Sequence, residues 1–243
     1  MCSVEKRGGV YLLTLTGDGE HRINPTLIRA LKSALQQIKS DAESSPSSTA
    51  LVTTGQGKFF SNGYDLDWVR SPNLSPAESE SRAHTTRTEY ASLIQDLISF
   101  PMPTIAAVTG HASAAGFVLA LAHDYVVMRR DRGFLYMSEV DIDLVVPPWF
   151  VALVKSKVGS GLARRDVFMR AEKLTGAAAV EKGVVDSAHD GAEATVEAGL
   201  RLGEELVKRK WKGHVYAGNR MVVMSEVLQA LASEQARVAP ARL

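Results

Sequence analysis

An α/β fold follows from three observations on the chain. Strand-like and helix-like segments alternate over the first 130 residues, the last third is helical in pattern, and 243 residues that are 45% hydrophobic suffice for one large core. The segments run in order as follows. Val10-Tyr11-Leu12-Leu13-Thr14-Leu15 is apolar and rich in strand formers, and Gly17-Asp18-Gly19 ends it, so it reads as a strand. Asn24 and Pro25 suit the cap and first position of a helix whose buried stripe is Leu27, Ile28, Leu31, Leu35 and Ile38. The polar stretch from Ser40 to Ser48 is expected to be a linker. Thr49 to Thr54 is a second strand, stopped by Gly55-Gln56-Gly57.

Phe59 to Leu66 reads as a short strand, a glycine turn and a helix start. Ser71 to Glu80 is polar and is expected to form a loop, followed by a helix from Arg82 to Phe100 that Pro101 and Pro103 terminate. Thr104 to Val108 is a strand. The small residues Ala112-Ser113-Ala114-Ala115-Gly116 then lead into an apolar helix ending near Ala122. Tyr125 to Met128 is a strand, and Asp131-Arg132-Gly133 turns the chain into Leu135-Tyr136-Met137. From Phe150 onward the pattern is helical, with a short strand expected near Val184-Val185-Asp186.

Composition removes several function classes. Basic and acidic residues number 28 and 27, so the net charge of +1 carries none of the basic excess of a nucleic-acid binder. Cys2 is the single cysteine and cannot form an internal disulfide or a cysteine-based zinc cage. No apolar run approaches the length of a membrane span. The N-terminal residues lack the apolar core of a signal peptide. The last three residues, Ala241-Arg242-Leu243, are a small residue, a basic residue and leucine, a variant of the tripeptide read by the peroxisomal import receptor. A peroxisomal location is the expectation.

Motifs for nucleotide or metal chemistry are missing. There is no G-x-S-x-G elbow, no H-E-x-x-H, no P-loop and no strand-linked G-x-G-x-x-G. What remains is two small-residue turns and a group of acids. The turns are Ser61-Asn62-Gly63-Tyr64-Asp65 and Ala112-Ser113-Ala114-Ala115-Gly116, each between a strand and a helix. Amide N–H groups at such places attract negative charge, and two facing turns can grip an enolate oxygen; read alone, both also suit ordinary close packing. Glu139 sits among apolar residues that would strip its water and raise its pKa towards general-base range. Asp141 and Asp143 compete with it, and all three also fit surface acids. Asp124, after His123, reads as a structural acid or a helix-end partner.

These residues, in this order, resemble the crotonase (enoyl-CoA hydratase/isomerase) superfamily over nearly the whole chain. The resemblance is carried by Lys58-Phe59-Phe60-Ser61-Asn62-Gly63-Tyr64-Asp65-Leu66, by Pro103 to Ala112 and by Met137-Ser138-Glu139-Val140. Within the superfamily it points to the plant peroxisomal Δ3,Δ2-enoyl-CoA isomerases. It implies a ClpP-like spiral of ββα units. Residues 1–190 would form the core with the active site, and 191–243 a helical region that drives assembly into homotrimers or hexamers. It implies backbone oxyanion donors at Tyr64 and Ala115, with Phe60, Ser61, Asn62 and Gly63 around the thioester. Coenzyme A would be held by backbone near Arg22 to Asn24 and near Phe60, and Trp149 and Phe150 would shape the acyl pocket.

The activity implied moves the double bond of 3-enoyl-CoA to 2-trans-enoyl-CoA, with Glu139 as the base. No metal and no cofactor is expected, since coenzyme A is part of the substrate. Hydratases of the superfamily use two glutamates, and the first falls here on Val118, so an isomerase fits better than a hydratase. Other readings are a hydratase, thioesterase or decarboxylase acting on acyl-CoA, or a non-catalytic acyl-CoA-binding scaffold. Two more departures stand out: the second turn is alanine-rich, and Asp143 occupies a position where relatives carry glycine.

Overall fold

From its third strand onward the chain places successive strands alternately in two sheets. The computed structural model describes residues 1–44 and 48–238, and the tripeptide Ala241-Arg242-Leu243 lies outside the described residues. The first half comprises β1 (Cys2–Arg7), β2 (Val10–Leu15), α1 (Pro25–Glu43), β3 (Ala50–Gly55), β4 (Phe59–Ser61), α2 (Leu66–Val69), α3 (Pro76–Ile98), β5 (Thr104–Val108), β6 (His111–Ser113) and α4 (Ala115–Leu121). The second comprises β7 (Tyr125–Arg129), β8 (Leu135–Tyr136), a single 3₁₀ turn (Glu139–Ile142), α5 (Pro148–Lys157), α6 (Gly161–Met169), α7 (Gly176–Glu181), β9 (Ser187–His189), α8 (Ala192–Val207), α9 (Gly213–Val223) and α10 (Ser225–Val238).

The larger sheet has the order β1-β2-β3-β5-β7-β9, antiparallel at β1–β2 and parallel elsewhere. The smaller is β4-β6-β8, all parallel. Each unit therefore gives one strand to each sheet and then a helix: β3-β4-α2, β5-β6-α4 and β7-β8-α5. This is the expected spiral of ββα units. Strands β3 and β5 are buried along their whole length, which is why they read as continuous apolar runs without alternation. The main core fills the space between the larger sheet and α1, α3, α4 and α5. A second core cluster, with Val10, Val52, Ile105 and Leu200, lies under α8. Gly199 and Gly203 let α8 lie close to the sheet: a Cβ on Gly203 would come within 2.9 Å of Val10 Cγ2. The boundary drawn at residue 190 thus precedes a helix that covers the larger sheet.

Several expectations need correction. The region from Ser40 is not wholly a linker, because α1 continues to Glu43. The segment from Ser71 to Glu80 is not all loop. Helix α3 begins at Pro76 under a capping box in which Ser75 Oγ accepts from Glu78 N and the Glu78 carboxylate accepts from Ser75 N at 2.8 Å. That reciprocal cap offsets the polarity of the first turn. The C-terminal strand lies at Ser187–His189 rather than near Val184. A strand also precedes Val10, where the sequence predicts none. β1 is a half-exposed charged edge, whose Glu5, Lys6 and Arg7 discourage further pairing and also hide its pattern.

One buried ion pair ties the C-terminal helices to the core. Arg220 of α9 donates to Asp124 through Nε and Nη2, at 2.6 and 2.5 Å, and to the carbonyls of Phe100 and Met102 at 2.7 and 2.6 Å. It thereby satisfies carbonyls just past the C-terminal end of α3. Asp124 also accepts from Thr104 N at 2.9 Å, so it is the structural acid of the two alternatives.

Candidate active site

The three parallel strands of the smaller sheet end side by side, and each end carries one piece of the site. β4 runs into the turn at Asn62-Gly63-Tyr64, β6 into Ala114-Ala115, and β8 into Met137-Ser138-Glu139. The registers Ser61↔Ala112 and Ser113↔Tyr136 bring those ends level. Carboxyl ends of parallel strands are the usual place for ligands in α/β folds. Residues scattered over about 80 positions of sequence meet here because the ladder aligns them.

The first two turns interlock. Gly63 has φ +75°, and a Cβ built on it would lie 2.9 Å from Ser113 O and 3.6 Å from Ala115 N. Ser113 Oγ donates to Asn62 Oδ1 at 3.1 Å, and Asn62 Nδ2 donates to Glu20. Gly116 presses on β4 so closely that a Cβ there would clash with Ser61 O. Ser61 is buried and donates to His21 O at 2.8 Å, while Phe60 is fully buried in the core. These residues build the turn.

The amides of Tyr64 and Ala115 are left over by this arrangement. Ile23 N donates to Gly63 O and Asp65 N donates to Ile23 O, at 2.7 and 3.1 Å. The Tyr64 amide between them points the other way, as alternate amides of an extended chain do. Ala115 is the first residue of α4, so its N–H has no place in the helical ladder. Among the described residues neither N–H has an acceptor. Ala114 adopts φ +48° although it has a side chain. Asp143 adopts the left-handed φ +57°, a conformation that favours glycine. Ala114 is held in place as N–H donor to Tyr136 O and as acceptor from Val118 N.

The structure separates the three candidate acids. Asp141 and Asp143 are exposed, whereas Glu139 is 6% exposed. Its Oε2 is buried with no hydrogen-bond partner among the described residues. Loss of hydration raises its pKa above the ordinary glutamate value, and the hydrogen bond from its own backbone N–H opposes this more weakly. Glu139 lines a cavity of about 400 Å³ together with Tyr64, Phe150, Leu66, Val69 and Val145. Two further cavities, of about 470 and 760 Å³ around Trp211, share no lining residue with it. Trp149 stands one layer behind the wall, 4.3 Å from Phe150 and 5.7 Å from Tyr90 by ring centroids. Val118 is fully buried in the main core.

No signal in the sequence marks Leu66, Val69 and Val145 as cavity wall, or Tyr90 as part of the site. Tyr90 lies within the expected helix, yet no spacing rule connects it to a turn 25 residues later. Among the described residues no three His, Cys, Asp or Glu side chains cluster to hold a metal ion, and no helix is long and apolar enough to cross a membrane.

Glu139, with its Oε2 buried and unpartnered among the described residues, shares a cavity with Tyr64 and Phe150, and Tyr64 and Ala115 carry backbone N–H groups without acceptors; a carboxyl group and such donors are the parts that proton transfer next to a carbonyl uses. The sequence matches the enoyl-CoA hydratase/isomerase family model over residues 5–236, and the chain belongs to that family. It is 56% identical to the peroxisomal enoyl-CoA delta isomerase 1 of Arabidopsis thaliana over 94% of this chain and 91% of that protein. It is 48% identical to the peroxisomal enoyl-CoA delta isomerase 2 of the same plant over 96% of each. The fold is similar to that of a probable enoyl-CoA hydratase from Mycobacterium tuberculosis, with a TM-score of 0.84, 22% identity and coverage of 96% of this chain and 92% of that one.

Proposed function

We propose that the protein is a Δ3,Δ2-enoyl-CoA isomerase of the peroxisome, and that Glu139 moves a single proton between two carbons of the acyl chain. The observation that carries the reading is the buried carboxyl group of Glu139, whose Oε2 has no partner among the described residues, on the cavity shared with Tyr64. The names of the two plant relatives support both the activity and the compartment.

The C2 protons of a 3-enoyl thioester become acidic when the carbonyl oxygen takes up charge. In the proposed reaction the Tyr64 and Ala115 amides hold that oxygen. Each such donor is worth about 3–4 kcal/mol in a site that excludes water. Glu139 removes a C2 proton, the electron pair spreads over a dienolate, and the same proton returns at C4. The double bond then lies between C2 and C3, conjugated with the carbonyl. Hydrogen leaves one carbon and arrives at another, so the reaction as proposed has no redox or hydrating partner, and coenzyme A enters as part of the substrate. Assembly into trimers or hexamers belongs to the same proposal. Val222 and Val223 of α9, 75% and 73% exposed, offer apolar surface for a neighbouring copy, and sedimentation of the purified protein tests it.

A coupled absorbance assay with trans-3-hexenoyl-CoA tests the activity; no formation of the 2-enoyl product would refute it. Val118 yields a sharper expectation. Valine cannot orient a water molecule, so hydration of 2-enoyl-CoA should be negligible beside isomerisation, and rapid formation of 3-hydroxyacyl-CoA would contradict the single-acid reading. Gly63→Ala should lower kcat about 10²-fold, because a Cβ against Ser113 O forces the two turns apart by a fraction of an ångström or more. Steady-state rates on the folded variant measure this.

A further inference from the structure

We infer that Tyr90 is a positioning residue for the oxyanion site, holding Ala115 and Tyr64 in register from the side opposite the substrate. The inference rests on the reading of the two amides given above. The Tyr90 side chain comes from α3, is fully buried, and touches both donor residues. Its hydroxyl donates to Ala115 O at 2.5 Å. Its ring and that of Tyr64 meet edge to face, with centroids 5.5 Å apart and planes at 81°. Its remaining ring neighbours are Trp149 and Phe150, at 5.7 and 6.5 Å, on the helix that follows the Glu139 turn.

Such an anchor is needed because the start of α4 is strained. Ala114 is held at φ +48° and ψ −118° with no side-chain cap. A conformation of that kind persists when its surroundings over-determine it. On its N-terminal side it is pinned by the bond from Ala114 N to Tyr136 O. On its C-terminal side, among the described residues, Tyr90 is the one side chain that hydrogen-bonds to the first turn of α4. Ala115 O already lies in the helical ladder, so the phenol is not needed to satisfy it. What the phenol adds is direction. Burial keeps it protonated and therefore a donor. Tyr90 touches no reacting atom in this scheme; it acts through the placement of the Ala115 N–H and the Tyr64 backbone.

Tyr90→Phe keeps the ring and removes the hydroxyl. The expected result is a kcat lower by about 10- to 100-fold with KM changed by less than about twofold, the signature of a lost placement rather than lost binding. A second reading comes from bound 2,4-hexadienoyl-CoA, whose absorption moves to longer wavelength when its carbonyl is polarised. The parent enzyme should produce this shift, and Tyr90→Phe should reduce it. Leu31→Ala, a core truncation on α1, serves as the control for general loosening and should lower Tm while keeping both kcat and the band position.

If the parent enzyme neither isomerises 3-hexenoyl-CoA nor shifts the band, the reading of the site itself fails. If the parent does both and Tyr90→Phe matches it with only a lower Tm, Tyr90 is merely structural and the inference is overturned. Should Tyr90→Phe not fold, Tyr90→Met fills the space flexibly without a hydroxyl and is read in the same way. Failure of both to fold would assign Tyr90 to stability alone and overturn the proposal.

Discussion

Replacing Glu139 by glutamine is expected to cut isomerisation of 3-hexenoyl-CoA by about 10²–10⁴-fold and, at neutral pH, to raise the thermal midpoint. Both effects have one origin. The carboxylate is buried, its Oε2 has no partner among the described residues, and desolvation raises its pKa. The folded protein therefore holds this proton to a higher pH than the unfolded chain does. The contribution of Glu139 to stability is most favourable below the unfolded carboxylate pKa and declines as pH rises through the higher folded value. Activity has the opposite slope, because the free enzyme needs the ionised base: kcat/KM should fall as pH drops through the raised pKa. Glutamine has the same shape and cannot ionise, so it removes the buried charge and the base together. Melting curves of parent and variant should converge on acidification and separate towards neutral pH. Undiminished activity in folded Glu139→Gln would remove the residue from the mechanism. A variant that is less stable at neutral pH would show that the carboxylate has a compensating partner.

Replacing Arg220 by methionine should destabilise the fold by about 3–5 kcal/mol, the largest stability effect anticipated for a single side chain of α9. The guanidinium is 4% exposed and Asp124 is 13% exposed, so solvent screens the pair little. Removing Arg220 leaves a carboxylate with its remaining donors from Thr104 and leaves the Phe100 and Met102 carbonyls short of one. Lysine should rescue poorly, because a single ammonium cannot reach Asp124 and two carbonyls as a planar fork does. Asp124→Asn in the Arg220→Met background should recover part of the loss by neutralising the stranded acid. Denaturant unfolding measures each variant. A loss below about 1 kcal/mol would mean that the pair is a replaceable packing element, as some buried ion pairs are. The effect reaches the site through α3, whose end Arg220 holds and whose middle carries Tyr90.

Local signals in the chain were good guides where a single rule governed the outcome. Asn24 accepts from Leu27 N at 3.0 Å, as the Asn-Pro start of α1 requires. The apolar runs became β2, β3, β5 and β7 because strands buried on both faces need no alternation. Local reading failed where polarity hid a structural device. The Ser75 to Glu78 cap sits in a stretch that looks like a loop, and β1 is charged because it is an edge.

The candidate site divides along the same line. Local marks sufficed to single out the two small-residue turns and the acids Glu139, Asp141 and Asp143 as candidates, and the family resemblance pointed within them to Tyr64, Ala115 and Glu139. A physical reason for preferring Glu139 to Asp141 and Asp143 came only with the coordinates. All three lie within five residues in equally apolar sequence, and only burial, a property of what packs on the 3₁₀ turn, separates them. The meeting of the two turns, the placement of Trp149 behind Phe150 and the reach of Tyr90 to Ala115 were likewise decided by tertiary structure. Each depends on the register of three short parallel strands and on the angle of α3, and these are set by contacts between residues distant in sequence, which local periodicity does not encode.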